Sequence, residues 1–127
     1  MEPARVLIVE DEVTIAGMLE AIFRRAGLSP TTVGDGRSAI ALIGQGTPPA
    51  GAVVEVMLPY VDGFSVVEAM RRSPAWRDVP VVMLSSRQLP SDLVRARELG
   101  VRRYLQKPFN ARELLAVVRE ALGLPAG

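Results

Sequence analysis

Five polar side chains in this 127-residue chain are of types that could do chemistry together. Each stands at or just after the end of a short run of strand-forming residues: Glu10, Asp11, Glu55, Ser85 and Lys107. Clustered carboxylates repel one another unless a cation joins them, and Mg²⁺ accepts one or two carboxylates while keeping several waters. A hydroxyl and an ammonium group suit the oxygens of a phosphoryl group. The combination predicts a site for a divalent cation and a phosphoryl group.

Lys107 is singled out by composition as well as by position. The chain has fourteen arginines and only one lysine. An ammonium group is a compact point charge and a guanidinium group is a planar fork, so the two are not interchangeable. A chain that uses arginine for its general surface charge but keeps one ammonium group marks that lysine as a candidate functional residue.

Apolar runs rich in β-branched residues alternate along the chain with segments whose apolar residues recur at helical spacing. The runs predict buried strands at 6–9, 52–54 and 80–84, and weaker strands at 31–33 and 103–105. The helical spacing predicts helices at 15–23, 38–43, 64–70, 93–99 and 114–122. This alternation favours a parallel sheet covered on both faces. The predicted fold class is α/β, a doubly wound five-stranded parallel sheet of the flavodoxin-like (βα)5 type with strand order 2-1-3-4-5.

The predicted topology brings the polar side chains to one edge of the sheet. In open parallel sheets, ligands bind beyond the carboxyl ends of the strands, near the point where the strand order reverses. Pro30 cannot donate a hydrogen bond to a neighbouring strand, so the second strand is predicted to lie at an edge. The candidate site is therefore expected around the ends of the other four strands.

Composition narrows the function classes. The chain has no cysteine and no histidine, which removes disulfides, zinc–thiolate sites, cysteine nucleophiles and histidine general bases. No apolar run approaches the ~20 residues of a membrane span and no signal-peptide pattern begins the chain, so we expect a cytoplasmic protein with no membrane contact. Residues 87–127 carry 8 basic and 4 acidic side chains. No basic stretch is interleaved with aromatic residues, so direct nucleic-acid binding is not expected.

Four sequence motifs resemble those of response-regulator receiver domains in two-component signalling. They are VLIVEDE at 6–12, MLP with DG at 57–59 and 62–63, VVMLSS at 81–86, and YLQKPF at 104–109. The separations between Asp11, Glu55, Ser85 and Lys107 are 44, 30 and 22 residues, which fits the family without insertions. The resemblance covers essentially the whole chain and implies a single receiver domain over residues 1–127.

The resemblance also implies roles for individual residues. Glu10, Asp11 and Glu55, with the backbone carbonyl of Met57, would hold Mg²⁺ as the cofactor. Other residues would bind the phosphoryl oxygens or act as a switch, in which a hydroxyl moves to the phosphoryl group and an aromatic ring turns inward. Ser85 and Lys107 would bind the phosphoryl oxygens, and Ser85 and Tyr104 would form the switch. The peptide bond between Lys107 and Pro108 would be cis, as in most relatives.

Glu55 stands where this family has its phosphate-accepting aspartate, four residues before Pro59. Glutamate moves the carboxylate outward by one methylene, about 1.5 Å, and a misplacement of about 1 Å can cost ~10²-fold in rate. We therefore expect that Glu55 is not phosphorylated at a useful rate. Its longer side chain could instead reach Lys107 or Ser85 and imitate a phosphoryl group in part. Binding of Mg²⁺ would be weakened, or the ion would be displaced, if Glu55 pairs with Lys107.

Two explanations of Glu55 fit these residues equally well. It is either native to a degenerate receiver or an engineered substitution that locks an active-like state. A harmless variant in a domain with another phosphorylation site fits less well, because no other strand-end carboxylate is framed in the same way.

The predicted function is a two-component receiver module that is independent of phosphorylation or imitates the phosphorylated state, and that is not an enzyme. Its partner would be a histidine kinase, a phosphotransfer protein or an output protein. One alternative is a conventional Mg²⁺-dependent receiver that takes and hydrolyses a phosphoryl group. Another is a flavodoxin-like small-molecule-binding domain, although no glycine-rich phosphate loop follows the first strand.

The predicted output face is formed by the fourth helix, the fifth strand and the fifth helix. Four arginines belong to this region: Arg95, Arg97, Arg102 and Arg103. Like charges that face each other across a two-fold axis would repel. We therefore expect a monomer or weak dimer and an acidic or mixed-charge protein partner. The sequence ends soon after the last predicted helix, so we expect a stand-alone or excised receiver without an output domain.

The remaining large apolar residues are predicted to serve packing. Trp76 lies between two prolines and is expected to be a hydrophobic plug at the end of the third helix. The spacing of four methionines predicts that they belong to the core: Met18, Met57, Met70 and Met83.

Overall fold

The computed structural model describes residues 2–125, which form five parallel strands and five α-helices in alternation. The strands are β1 (Arg5–Val9), β2 (Ser29–Val33), β3 (Gly51–Glu55), β4 (Val81–Ser85) and β5 (Arg103–Gln106). The helices are α1 (Val13–Arg25), α2 (Gly36–Leu42), α3 (Gly63–Arg72), α4 (Pro90–Glu98) and α5 (Ala111–Leu122). The strand order is β2-β1-β3-β4-β5. The predicted fold class is confirmed. Residues 1, 126 and 127 of the predicted domain lie outside the described residues.

Both faces of the sheet are buried, because successive side chains of a strand point to opposite sides. On one face, α2, α3 and α4 pack with Leu7 and Met83 in one apolar cluster. On the other face, α1 and α5 pack with Ile8 and Leu84 in a second cluster. A strand covered on both sides reads as a continuous apolar run. This burial explains why β1, β3 and β4 stand out in the sequence.

The edge position of β2 agrees with its sequence. Pro30 lies in β2, which pairs only with β1 and is half-buried along most of its length. The first strand is therefore flanked by β2 and β3. The order of the chain reverses there, because β3 follows α2 on the far side of β1.

Three of the five packing predictions are confirmed. Met70 and Met83 are fully buried, and Trp76 is 2% exposed. The prediction is wrong for Met18 and Met57, which are 42% and 49% exposed. Met18 lies at the margin of the apolar stripe of α1, and Met57 lies in the loop after β3, beyond the part of the chain that is buried on both faces of the sheet.

Arg71 on α3 ties two chain connections together, a role that the sequence does not reveal. Its guanidinium group donates to the carbonyls of Leu99 and Gly100 at 2.7 and 3.2 Å. It also donates to the carbonyls of Arg77 and Val79 at 2.9 and 2.8 Å. Burial lowers the pKa of Arg71 from its ordinary value. The four bonds join the α3–β4 connection to the turn after α4.

Every helix among the described residues is too short or too polar to span a bilayer.

Gly63 begins α3 where the chain passes close to the end of β3. A Cβ atom at this position would overlap the carbonyl group of Glu55 and contact the backbone of Val56. We expect Gly63→Ala to lower the free energy of unfolding by about 2 to 3 kcal/mol, because backbone atoms cannot move aside as a flexible side chain does. Urea denaturation measures the change.

Gly17→Ala is the matched control for this substitution. Gly17 lies on the exposed side of α1, and an added Cβ would meet no other atom within 4 Å. Alanine favours the helix over glycine, so we expect this variant to gain about 0.5 to 1 kcal/mol. If Gly63→Ala is as stable as the unmodified chain, the inference that Gly63 lies too close to the end of β3 for a Cβ atom is wrong.

Candidate functional site

Four side chains meet at the carboxyl edge of the sheet. Glu10 follows β1, Glu55 ends β3, Ser85 ends β4 and Lys107 follows β5. Parallel strands place these ends at the same edge, which positions the residues without a contribution from long loops. Glu10, Glu55 and Ser85 are buried, and the Lys107 side chain is 11% exposed. Four of the five residues predicted to converge are therefore held at this edge.

Lys107 forms an ion pair with two of the predicted carboxylates at once. Its Nζ lies 2.8 Å from Glu10 Oε1 and 2.5 Å from Glu55 Oε1. The second oxygen of each carboxylate accepts a backbone N–H: that of Glu12 at 3.2 Å and that of Met57 at 2.9 Å. All four carboxylate oxygens therefore have a donor within the chain. We refer to Glu10, Glu55 and Lys107 as the lysine bridge.

The electrostatics of the lysine bridge follow from its burial. Burial raises the pKa of the Glu10 carboxyl group, against the opposing influence of Lys107 and the Glu12 amide. Burial alone would lower the pKa of Lys107, but its hydrogen bonds to Glu10 and Glu55 outweigh burial and hold that pKa above its ordinary value. The lysine therefore stays an ammonium group at neutral pH.

The third predicted carboxylate, Asp11, differs from Glu10 and Glu55 in its exposure. Asp11 is exposed, although Glu10 beside it is buried. Within residues 2–125, no three acidic side chains come close enough to hold a metal ion together. Every carboxylate oxygen of Glu10 and Glu55 accepts a hydrogen bond from within the chain. Two of the three carboxylates expected around a cation, those of Glu10 and Glu55, thus contact Lys107.

The two residues predicted to form a switch contact the same neighbour. Ser85 is fully buried, and its Oγ accepts the backbone N–H of Arg87 at 3.0 Å. Tyr104 is half-buried against the cluster under α3 and α4, and its hydroxyl donates to the Arg87 carbonyl at 2.5 Å. Burial raises the pKa of Tyr104. The Tyr104 ring is thus packed inward.

Sequence reasoning missed Arg87. Its Nε and Nη2 donate to the two carboxylate oxygens of Asp92 at 2.8 and 2.9 Å. Asp92 is buried in the first turn of α4. Nothing in the sequence distinguishes Arg87 from the other thirteen arginines, because the pairing depends on how the β4–α4 connection folds back.

The four arginines predicted for the output face are all exposed: Arg95, Arg97, Arg102 and Arg103. Two of them have contacts within the domain. Arg103 pairs with Glu120 on α5 at 3.0 Å, and the Arg95 guanidinium lies 4.9 Å from the centroid of the Phe64 ring. The peptide bond between Lys107 and Pro108 is cis, as the sequence resemblance implies.

The strand order and the positions of Lys107 and Glu55 at the strand ends agree with the resemblance to two-component signalling receivers. A family model described as the response regulator receiver domain matches residues 6–119, and the chain belongs to this family. Receiver domains are signalling modules that interact with histidine kinases and output domains, and they bind Mg²⁺. The family assignment favours a receiver over the flavodoxin-like alternative.

Relatives of this chain include transcriptional regulators and a shorter protein. The chain is 40% identical over 115 residues to the transcriptional regulatory protein TcrA of Mycobacterium tuberculosis, an alignment that covers 91% of this chain and 44% of TcrA. It is 32% identical over 115 residues to protein PilG of Pseudomonas aeruginosa, covering 91% of this chain and 84% of PilG. The chain thus spans about half the length of the regulators that it matches.

Solved structures share the fold. The receiver domain of the sensor histidine kinase PA1611 from Pseudomonas aeruginosa, solved with a magnesium ion in its active-site cleft, matches with a TM-score of 0.85 and 28% identity, covering 95% of this chain and 98% of that one. The chemotaxis response regulator CheY4 of Vibrio cholerae matches with a TM-score of 0.86 and 29% identity, covering 94% and 98%.

Proposed function

We propose that this receiver domain works without phosphorylation of Glu55 and passes its signal by binding a protein partner. The observation that supports the proposal is the lysine bridge, in which Lys107 contacts Glu55 and Glu10. A phosphoryl group on residue 55 would need Lys107 for its own oxygens. Here Glu55 already has that partner, so its carboxylate stands in part for the phosphoryl group.

The proposal extends to Mg²⁺. Glu10 and Glu55 would have to give up hydrogen bonds to Lys107 and to backbone amides before they could bind the ion. Mg²⁺ loses its bound waters only with difficulty, so its contacts with the two carboxylates would not offset the hydrogen bonds that they lose. Binding of Mg²⁺ is therefore weak at this site. Because residue 55 is glutamate and not the acceptor aspartate, the domain also does not catalyse its own phosphorylation and dephosphorylation.

The partner in this proposal is a histidine kinase, a phosphotransfer protein or an output protein. The arginines of the output face favour an acidic or mixed-charge surface on that partner. The same like charges favour a monomer or weak dimer of this chain.

Intact-mass measurement with Mg²⁺ and a small phosphodonor tests the proposal. We expect the unmodified chain to stay unphosphorylated and Glu55→Asp to gain the mass of one phosphoryl group. The rates should differ by ~10²-fold or more, because the two carboxylates differ in position by one methylene, about 1.5 Å. Glu55→Gln is the matched control and should gain nothing, since it has no carboxylate at residue 55.

The other outcomes have definite meanings. Phosphorylation of the unmodified chain, absent from Glu55→Gln, would show a conventional receiver and overturn the proposal. If Glu55→Asp also stays unphosphorylated, Glu55 is not the sole obstacle, and the domain is an interaction module whose site has changed beyond that one residue.

A further inference from the structure

We infer that Arg87 is a positioning residue that holds the Tyr104 ring and the start of α4 in one arrangement. The inference goes beyond the proposed function, because it does not depend on whether Glu55 accepts a phosphoryl group. Three contacts of one residue carry it: the backbone N–H, the backbone carbonyl and the guanidinium group. We refer to Arg87 with Asp92 as the arginine clamp.

The backbone of Arg87 connects the two switch residues. Its N–H donates to Ser85 Oγ at 3.0 Å, and its carbonyl accepts the Tyr104 hydroxyl at 2.5 Å. The bond to Ser85 is part-buried, whereas the bond to Tyr104 lies in an exposed position. A shift of the Arg87 backbone would therefore break both bonds, and the Tyr104 hydroxyl would need a new acceptor.

The side chain of Arg87 fixes that backbone to α4. Both carboxylate oxygens of Asp92 receive a bond from the guanidinium group, at 2.8 and 2.9 Å. Two parallel bonds of this kind fix orientation as well as distance. The Asp92 side chain is 8% exposed and also accepts the Leu89 N–H at 3.4 Å. Without Arg87, a buried carboxylate at the start of α4 would lose its only guanidinium partner among the described contacts.

The position of α4 depends on this clamp because the helix has few other buried contacts. Of its nine residues, only Asp92 and Ala96 are buried. One of these two is the carboxylate that Arg87 holds. The other residues are exposed or half-buried, and they include Arg95 and Arg97 of the output face. The clamp therefore decides how this face is presented to a partner.

The two tyrosines allow a direct test by fluorine NMR of protein labelled with 3-fluorotyrosine. Tyr104 reports on the clamp, and Tyr60, which is 96% exposed, is an internal reference. We expect Arg87→Ala and Asp92→Asn to move the Tyr104 signal toward that of Tyr60. We also expect amide hydrogen exchange in α4 to speed up by about tenfold or more, since bonds to charged groups contribute more than neutral ones.

Two further variants control the experiment. Arg97→Ala removes an exposed arginine from the same helix and should leave the Tyr104 signal unchanged and α4 exchange within about twofold, as is usual for surface substitutions. Arg87→Lys keeps a positive charge but loses the two-bond fork. It should shift Tyr104 in the same direction, and it keeps the test valid if Arg87→Ala does not fold.

The results separate the parts of the inference. If α4 exchanges faster but the Tyr104 signal stays in place, Arg87 anchors the helix and does not position the ring, and the inference is overturned. If neither changes in a folded Arg87 variant, the clamp has no positioning role at all. An equal response of Arg97→Ala would show a general effect of lost charge and would also overturn it.

Discussion

Replacing Lys107 with methionine is expected to lower the free energy of unfolding by about 3 kcal/mol or more. The reason is that Glu10 and Glu55 would keep their burial but lose the ammonium group that both contact. Breaking a buried ion pair from one side leaves an uncompensated charge, which costs more than the intact pair contributes. For a small domain with a typical stability of ~5 to 15 kcal/mol this is a large fraction. Urea denaturation at neutral pH measures the loss.

Second-site variants distinguish an electrostatic cause from lost packing. Adding Glu55→Gln to Lys107→Met removes one of the stranded charges, and adding Glu10→Gln as well removes the other. We expect stability to rise at each step, although the uncharged site lacks the original hydrogen bonds to Lys107. If the triple variant is no more stable than Lys107→Met alone, charge burial is not the cause and the lysine stem contributes mainly through packing.

Millimolar Mg²⁺ is expected to leave the thermal midpoint of the unmodified chain within about 1 °C of its metal-free value, but to raise that of Glu55→Asp by several degrees. A ligand at 100 times its Kd adds about 2.7 kcal/mol to a folded protein, and each kcal/mol moves the midpoint of a domain of this size by a few degrees, roughly 3 to 5 °C. We expect the shorter aspartate to lose either Lys107 or the Met57 amide as a partner. Its freed oxygen would be open to the ion.

Two variants are controls for this measurement. One is Glu55→Gln, and the other combines Glu55→Asp with Asp11→Asn. Neither should show the several-degree shift, because one lacks the carboxylate at residue 55 and the other lacks an exposed acid beside Glu10. A shift in the unmodified chain equal to that of Glu55→Asp would mean that the lysine bridge opens readily for Mg²⁺, and the proposed weakening of metal binding would be wrong.

The fold could be predicted from the sequence because its strongest local signals agree with its topology. β1, β3 and β4 are buried on both faces and therefore read as unbroken apolar runs. Strand ends are less certain: β2 begins at Ser29 rather than at residue 31, and α2 begins at Gly36 rather than at 38. The hydrogen bonds that extend these elements leave little trace in side-chain type.

The placement of Lys107 was predicted for a similar reason. Its position after β5 follows from the topology, and its uniqueness follows from composition. Its pairing was only partly predicted, since both Lys107 and Ser85 were open as partners of Glu55. Burial explains the outcome, because Lys107 offers a positive charge to the buried carboxylate of Glu55.

The residues that sequence reasoning missed act through loops and long side chains. Arg87 and Arg71 each bond to groups that only the folded connections bring near. Asp11, which is predicted among the metal ligands, follows the strand end by two residues and is exposed. Side chains within β1, β3 and β4 are buried on both faces, but this pattern ends with the strand. The side chains just beyond each strand are therefore the least predictable part of the site.

The lysine bridge consists only of side chains of this protein, so it contains no group that is added or removed during signalling. The signal of a receiver that works through this bridge would not depend on the supply of a phosphodonor and would not decay with time after a stimulus. Its signal would instead follow the number of copies in the cell and the affinity of the partner for them. Control over such a domain would lie with gene expression and protein turnover, which places the timing of the response in synthesis and degradation.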